Sequence, residues 1–368
     1  MSQVKVNGFQ MFSIIFLFEL GSAILVGLAK DAKQDAWIAV LLATGLGCLL
    51  YLVYIKLYNM YPSLTLISYL QNILGKYVGW LIGLLYVVYF IYIASRVLHD
   101  FEELLVMTAY RSSSYLTIGI IMVICVMYAA FQGLEVFFRI SELCFFIIVF
   151  MLLSLMFLEI ASGIVEIHHL RPVLEHGWGP IFKSVFPSTL TFPFGEMITF
   201  TMLLPFLNKQ ETAKKAGIIA LALSGIVLTL IAFMHVAVVG ADVRMRSAFP
   251  LLSAVSYINI ADFIQRLDIV VIISMVLLGF VKITVFFFCA IIGTAELFHI
   301  KERKKLIYPM GVMVLIFSLI IAPNYIEHII EGVKIVPYYL HLPLQIVLPI
   351  LLLIVAWIRQ KAKGVSIG

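Results

Sequence analysis

Long apolar runs separated by short polar segments recur along the whole chain. A helix needs about 20 mainly apolar residues to cross a bilayer. Ten runs meet that length: 9–29, 36–58, 78–98, 115–133, 140–161, 184–205, 215–239, 268–296, 305–323 and 337–358. The pattern predicts an all-α polytopic membrane protein, with ten transmembrane helices in one integral membrane domain over residues 1–368. The first run follows a single lysine and lacks a small-residue cleavage site, so it reads as a retained span rather than a signal peptide. Ten spans divide into five and five. Because five is odd, a second half (184–358) that repeats the first (9–161) enters the bilayer upside down, the inverted-repeat plan of many secondary transporters. On that plan the first span of each half should be interrupted.

Both are. Span 6 carries Thr191-Phe192-Pro193-Phe194-Gly195-Glu196 at its centre. Proline removes a backbone donor and clashes with the preceding turn, and glycine relaxes the backbone further. Lipid cannot satisfy the freed groups, so such a break must face protein or a water-filled cavity. Span 1 carries Glu19-Leu20-Gly21-Ser22 at the matching position, again with a carboxylate beside the weak point. A plainer reading of Gly21 remains open, in which a small residue only lets helices pack closely.

Composition agrees with the pattern: 63% of residues are apolar and 12% charged, against about 25% charged in a soluble domain. The net charge of +5 comes without a basic cluster interleaved with aromatics, which excludes nucleic acid as a partner. Lysine and arginine favour the side shared by the two termini, 14 against 10 with Lys282 inside a span, so both termini are expected in the cytoplasm. That count puts Arg96, Asp100, Glu102 and Glu103 on the outer side. Cys48, Cys125, Cys144 and Cys289 lie inside apolar runs without metal spacing, which implies neither disulfides nor zinc. His168, His169, His176, His328 and His341 crowd the outer side but lack HExxH or Cys/His spacing, so no metal site is expected. No nucleophile elbow, phosphate loop or dinucleotide fingerprint occurs either, and the reading is of a non-enzyme without a cofactor.

Three ionisable residues lie deep in the spans: Glu19, Glu196 and Lys282. At 1.5 Å rise per residue Glu19 sits about 15 Å into its helix, near mid-bilayer. Such residues pair with one another or line a cavity. One reading is a structural Glu19–Lys282 ion pair joining spans 1 and 8. The other gives Lys282 the place of a coupling cation and the glutamates the ligand or a proton. Tyr89 and Tyr92 on span 3 are candidates to wall a pocket, although aromatic stripes also serve packing and interfacial belts. Ser22, Thr191 and Thr284 are candidate hydroxyl donors, although Ser and Thr also bond their own helix backbone. The candidate ligand site is therefore Glu19, Leu20, Gly21, Ser22, Tyr89, Tyr92, Thr191, Phe192, Phe194, Gly195, Glu196 and Thr284, with Lys282 for the cation or proton.

Several stretches together resemble one family. They are His169-Leu170-Arg171-Pro172-Val173-Leu174 followed by Gly177-Trp178-Gly179-Pro180-Ile181, Tyr61-Pro62-Ser63-Leu64 followed by Leu74-Gly75-Lys76 and Gly83-Leu84-Leu85, and Gly195-Glu196 with Leu204-Pro205. Phe249-Pro250 followed by Gln265-Arg266-Leu267-Asp268 adds a fourth, with glutamine where the family usually has glutamate. The chain thereby resembles the spore germination proteins, the permease-like B subunits of endospore germinant receptors. The resemblance implies the amino acid–polyamine–organocation superfamily and a LeuT-like fold. It places the ligand between the unwound parts of spans 1 and 6, flanked by spans 3 and 8, with Lys282 a candidate for the cation site. It also implies a larger A subunit and a lipoprotein C subunit as partners, in the inner membrane of a dormant spore. The expected function is sensing of a small-molecule germinant: an amino acid first, with a sugar or nucleoside as alternatives. A proton-coupled amino-acid transporter and a gated water or ion pathway are the other readings.

Overall fold

The computed structural model describes residues 6–260 and 267–362, so the Gln265-Arg266 stretch lies outside the described residues. Among the described residues, eight helices are long and apolar enough to cross a membrane: Gly8–Val26 (span 1), Lys30–Met60 (span 2), Lys76–Thr108 (span 3), Tyr115–Gln132 (span 4), Leu134–Ala161 (span 5), Thr212–Arg246 (span 7), Asp268–Leu297 (span 8) and Pro337–Ala362 (span 10). A ninth is counted if Arg303–Ile320 and Tyr325–Ile335, which meet at a 106° bend, form one span. The two remaining predicted runs account for the difference. Residues 184–205 are divided among short helical pieces, and the ninth run forms the short helix Ile307–Ile320 (span 9).

The ends of the elements follow from local chemistry. Asn7 caps span 1 by accepting from Gln10 N at 2.8 Å, and the Gln10 side chain accepts from Asn7 N at 3.1 Å, a reciprocal capping box. Ser114 caps span 4 in one direction only, its Oγ accepting from Thr117 N at 3.2 Å. Span 3 departs from the sequence expectation. It does not stop at 98 but runs on to Thr108, so Asp100, Glu102 and Glu103 are buried within a helix rather than lying in a loop beyond the span. The helix carries these charges because neighbouring helices partner them: His328 lies 3.0 Å from Asp100 and Ser318 donates to Glu102 at 2.9 Å.

Spans 1 and 6 form the centre. In span 1, 89% of the membrane-length stretch is buried inside the protein, against 28% in span 5 and in span 10, which face outward. Val6 N donates to Phe206 O at 3.1 Å and Asn208 N to Val6 O at 2.9 Å. These bonds join the start of span 1 to the end of span 6, so the two broken spans run in opposite directions. Spans 2 and 7 pack through small residues. A Cβ on Gly225 would lie 2.1 Å from Thr44 Cγ2, and one on Gly217 would lie 2.1 Å from the hydroxyl of Tyr51, which itself donates to Ala213 O. Gly225→Val is therefore expected to cost about 1–3 kcal/mol by overpacking. Thermal unfolding of detergent-solubilised protein measures this, and an unchanged midpoint would mean that spans 2 and 7 are not in close contact.

Candidate functional site

The break in span 1 falls at Gly21, where the backbone leaves the helix (φ 8°, ψ −122°). Span 6 enters as the helix Trp178–Ser184, widens into a π-turn at Val185–Thr189, turns at Phe192-Pro193 and continues as the 3₁₀ helix Phe194–Met202. Pro193 has no N–H to give, so the ladder cannot run through it. Protein partners satisfy the groups that the break frees. Tyr54 Oη lies 3.2 Å from Gly195 O and 2.6 Å from Gln345 O. Gln345 comes so close that a Cβ on Gly195 would sit 2.2 Å from its Oε1, which is why the position takes glycine.

Lys282 crosses between the two breaks. A Cβ on Gly21 would lie 2.5 Å from Lys282 Cδ, so the side chain passes through the space this glycine leaves. Its Nζ ends 2.6 Å from Glu196 Oε2, with both side chains fully buried. The rings of Phe18 and Phe192 stand 4.9 and 4.8 Å from the ammonium, from spans 1 and 6 respectively. The partner of Lys282 is thus Glu196, not Glu19. Glu19 is fully buried and neither of its oxygens has a hydrogen-bond partner among the described residues. One cation faces two carboxylates.

Beside this pair lies a cavity of about 280 Å³. Its lining takes Ser22 from span 1, Phe192 and Glu196 from span 6, Arg96 and Asp100 from span 3, His328 from the segment Tyr325–Ile335 and His341 from span 10. Lys30, Asp31, Lys183 and Lys334 complete its mouth. Ser22 Oγ and Ser184 Oγ in this wall are buried without a hydrogen-bond partner among the described residues.

Of the residues expected at the site, Ser22, Phe192 and Glu196 line the cavity, while Glu19, Leu20, Gly21 and Lys282 are buried and do not line it. Phe194 turns the other way, to Gly47 on span 2. Thr191 donates to Ser188 O at 3.3 Å and Thr284 to Phe280 O at 2.7 Å, so both hydroxyls bond their own helices. Tyr89 bonds His341 Nδ1 and accepts from Gln345 Nε2, each at 2.7 Å, and Tyr92 accepts from Arg96 at 3.2 Å. The tyrosines orient lining residues rather than lining the cavity themselves.

Arg96, Asp100, His328 and His341 did not figure among the expected site residues. Arg96 donates to His328 O at 2.6 Å and pairs with Glu331 at 3.3 Å, and His328 Nε2 lies 3.0 Å from Asp100 Oδ1. The signal was present in the sequence: Arg96, Asp100 and Glu103 are spaced four and three apart, one face of a helix that continues beyond the apolar run. The Leu-Arg-Pro segment also gains a physical role. Leu174 N donates to the Asp35 carboxylate at 3.1 Å and Gln34 Nε2 to Pro172 O at 3.2 Å, clipping the loop before span 6 onto the start of span 2.

Two interrupted helices running in opposite directions beside an open cavity, in an all-helical bundle, define a permease-like multi-pass membrane protein. Solved structures agree. The fold matches that of a Na⁺-coupled sialic acid symporter (TM-score 0.65, 10% identity, 90% of this chain and 80% of that one). It also matches Mhp1, a nucleobase-cation-symport-1 family transporter (TM-score 0.58, 13% identity, 88% and 74%). The fold is LeuT-like. The family model described as "Spore germination protein" matches residues 5–326. Spore germination protein KB of Bacillus subtilis (strain 168) is 38% identical over all of this chain and 99% of the relative. Spore germination protein YndE of the same organism is 26% identical over 98% of each. The chain belongs to the spore germination protein family, in its permease-like branch.

Proposed function

We propose that this protein is the nutrient-sensing B subunit of a germinant receptor, and that the small molecule it senses binds in the cavity between spans 1, 3, 6 and 10. The observation that carries the reading is the meeting of both helix breaks at one cavity wall, where Ser22 Oγ stands buried and unpartnered beside Phe192 and Glu196. A buried donor without a partner is costly unless a guest satisfies it. A ligand seated there touches span 1 and span 6 together and reaches the Glu196–Lys282 pair, which ties in span 8. It shifts the bundle only by binding one arrangement better than the other. An amino acid fits the mixture of carboxylates and cations around the cavity, with a sugar or nucleoside as the alternatives. On this reading residues 9–161 and 184–358 are inverted halves, both termini are cytoplasmic, and the protein sits in the spore inner membrane with a larger A subunit and a lipoprotein C subunit. On this reading it senses its nutrient without a cofactor or catalytic step.

The test is direct binding of labelled L-amino acids, sugars and nucleosides to the purified protein, paired with a germination screen of spores lacking it. One compound should both bind and depend on the protein for germination. Ser22→Ala should weaken its binding by roughly fivefold, the loss of about 1 kcal/mol for one hydrogen bond. If no compound in the panel binds, or if Ser22→Ala binds as wild type, the cavity is not the sensor site. A second reading, secondary transport, draws support from the symporters that share the fold. It requires protein in liposomes to accumulate the bound nutrient against its gradient, whereas a sensor binds without flux.

A further inference from the structure

We propose that Glu166, His168 and His169, on the loop between spans 5 and 6, form a binding site for one divalent transition-metal ion such as Zn²⁺. The ligand atoms of the three residues lie within 4.8 Å of one another. Glu166 Oε2 is 3.2 Å from His168 Nε2 and 3.5 Å from His169 Nε2. An ion holding these atoms tetrahedrally at 2.0–2.1 Å needs them about 3.3 Å apart. Two of the three edges therefore already have the required length. The third closes by rotation of the exposed His168 ring.

Hydrogen bonding at His169 leaves its second ring nitrogen free for a metal. Its Nδ1 lies 3.1 Å from Ala237 O on span 7, and a carbonyl only accepts, so Nδ1 carries the proton. In the neutral ring Nε2 is then a lone pair aimed at a carboxylate, two acceptors facing each other. A divalent cation placed between them would bond both. A single divalent ion satisfies all three atoms at once. A ring N–H held by a backbone carbonyl is also the usual support of a metal-bound histidine. The Ala237 carbonyl anchors the turn a second time, accepting from Glu166 N at 2.9 Å. Imidazole and carboxylate donors together suit Zn²⁺, Co²⁺ or Ni²⁺ rather than Mg²⁺ or Ca²⁺. Three protein ligands leave a position for water. None of the three residues lines the cavity beside Glu196, so the site is separate from the nutrient site. Glu-x-His-His matches none of the common metal spacings, so the site was not legible from residue order.

The experiment uses the full-length protein in detergent, purified without a polyhistidine tag, stripped with EDTA and titrated with Co²⁺. The visible d–d bands report coordination, and equilibrium dialysis against Zn²⁺ gives the stoichiometry. One saturable site per chain is expected, unaffected by excess Mg²⁺. His168→Ala and Glu166→Gln alter exposed side chains and leave the fold intact, and each should weaken binding at least as much as loss of a supporting contact does, about 10–100-fold. His176→Ala, on the same loop, should bind as wild type. Absence of saturable binding, or unchanged binding in His168→Ala, overturns the proposal.

Discussion

Spores whose germinant receptor carries Lys282→Met in this subunit should fail to respond to its nutrient, and restoring the charge balance should not rescue them. Lys282 ends 2.6 Å from Glu196 in a fully buried pair, with Phe18 and Phe192 on either side. Removing the ammonium alone strands a buried carboxylate, which costs about 3–5 kcal/mol in known cases of broken buried pairs. The single variant should therefore unfold earlier in detergent as well as lose response, and taken alone it does not separate stability from signalling. The double variant Lys282→Met/Glu196→Gln does. Replacing a whole buried pair by uncharged groups of similar volume is often neutral or stabilising, so folding should recover to near the wild-type midpoint. If the pair only holds spans 6 and 8 together, response recovers with it. If the pair is the element a ligand acts on, response stays absent in a folded protein. The second outcome is expected, and a folded double variant that germinates normally would remove Lys282 and Glu196 from the mechanism.

The parts of this site that were legible in the sequence were those written within one span. Pro193, Gly195 and Glu196 within four positions announce a break with a carboxylate, as do Glu19, Gly21 and Ser22, and Lys282 stands out as a charge in an apolar run. Their pairing was not legible. Whether Lys282 meets Glu19 or Glu196 depends on the rotational phase of span 8 and on a gap at Gly21 wide enough for a lysine stem, and neither is a property of a local window. The span 3 residues were hidden for a different reason. Hydropathy ends a span at its first cluster of charges, but a helix continues through such a cluster when other helices supply partners, as His328 and Ser318 do for Asp100 and Glu102. The hydroxyls of Thr191 and Thr284 had two open fates, ligand donor or backbone partner, and took the second. A Ser or Thr in a helix always has its own carbonyl within reach, so sequence alone does not separate those fates. Ser22 shows the contrast: at a break the preceding turn is no longer in place, and its hydroxyl is left unpartnered in the cavity wall.

Arg96→Met is expected to weaken nutrient binding by about tenfold or more, equivalent to at least about 1.4 kcal/mol, with Arg96→Lys in between. The guanidinium clamps span 3 to the segment Tyr325–Ile335 through His328 O at 2.6 Å and Glu331 Oε2 at 3.3 Å, and is steadied within span 3 by Tyr92 Oη at 3.2 Å. Their weights differ. The Glu331 side chain is 38% exposed, so water takes over when the arginine is gone and little is lost. His328 is almost fully buried, and its carbonyl loses its side-chain donor at a cost of about 1–3 kcal/mol if nothing replaces it. His328 also holds Asp100 at 3.0 Å, and all three residues line the cavity, so loosening this carbonyl moves one wall of the binding site. Lysine keeps the charge but not the planar fork, and one ammonium does not span the same three partners. The proposed order for binding is therefore wild type, then Arg96→Lys, then Arg96→Met, with Glu331→Gln close to wild type. If Glu331→Gln is as damaging as Arg96→Met, the ion pair at the rim carries the effect and the carbonyl clamp does not. If both bind nutrient normally, the wall built from span 3 and His328 takes no part in recognition, and the ligand rests on spans 1 and 6 alone.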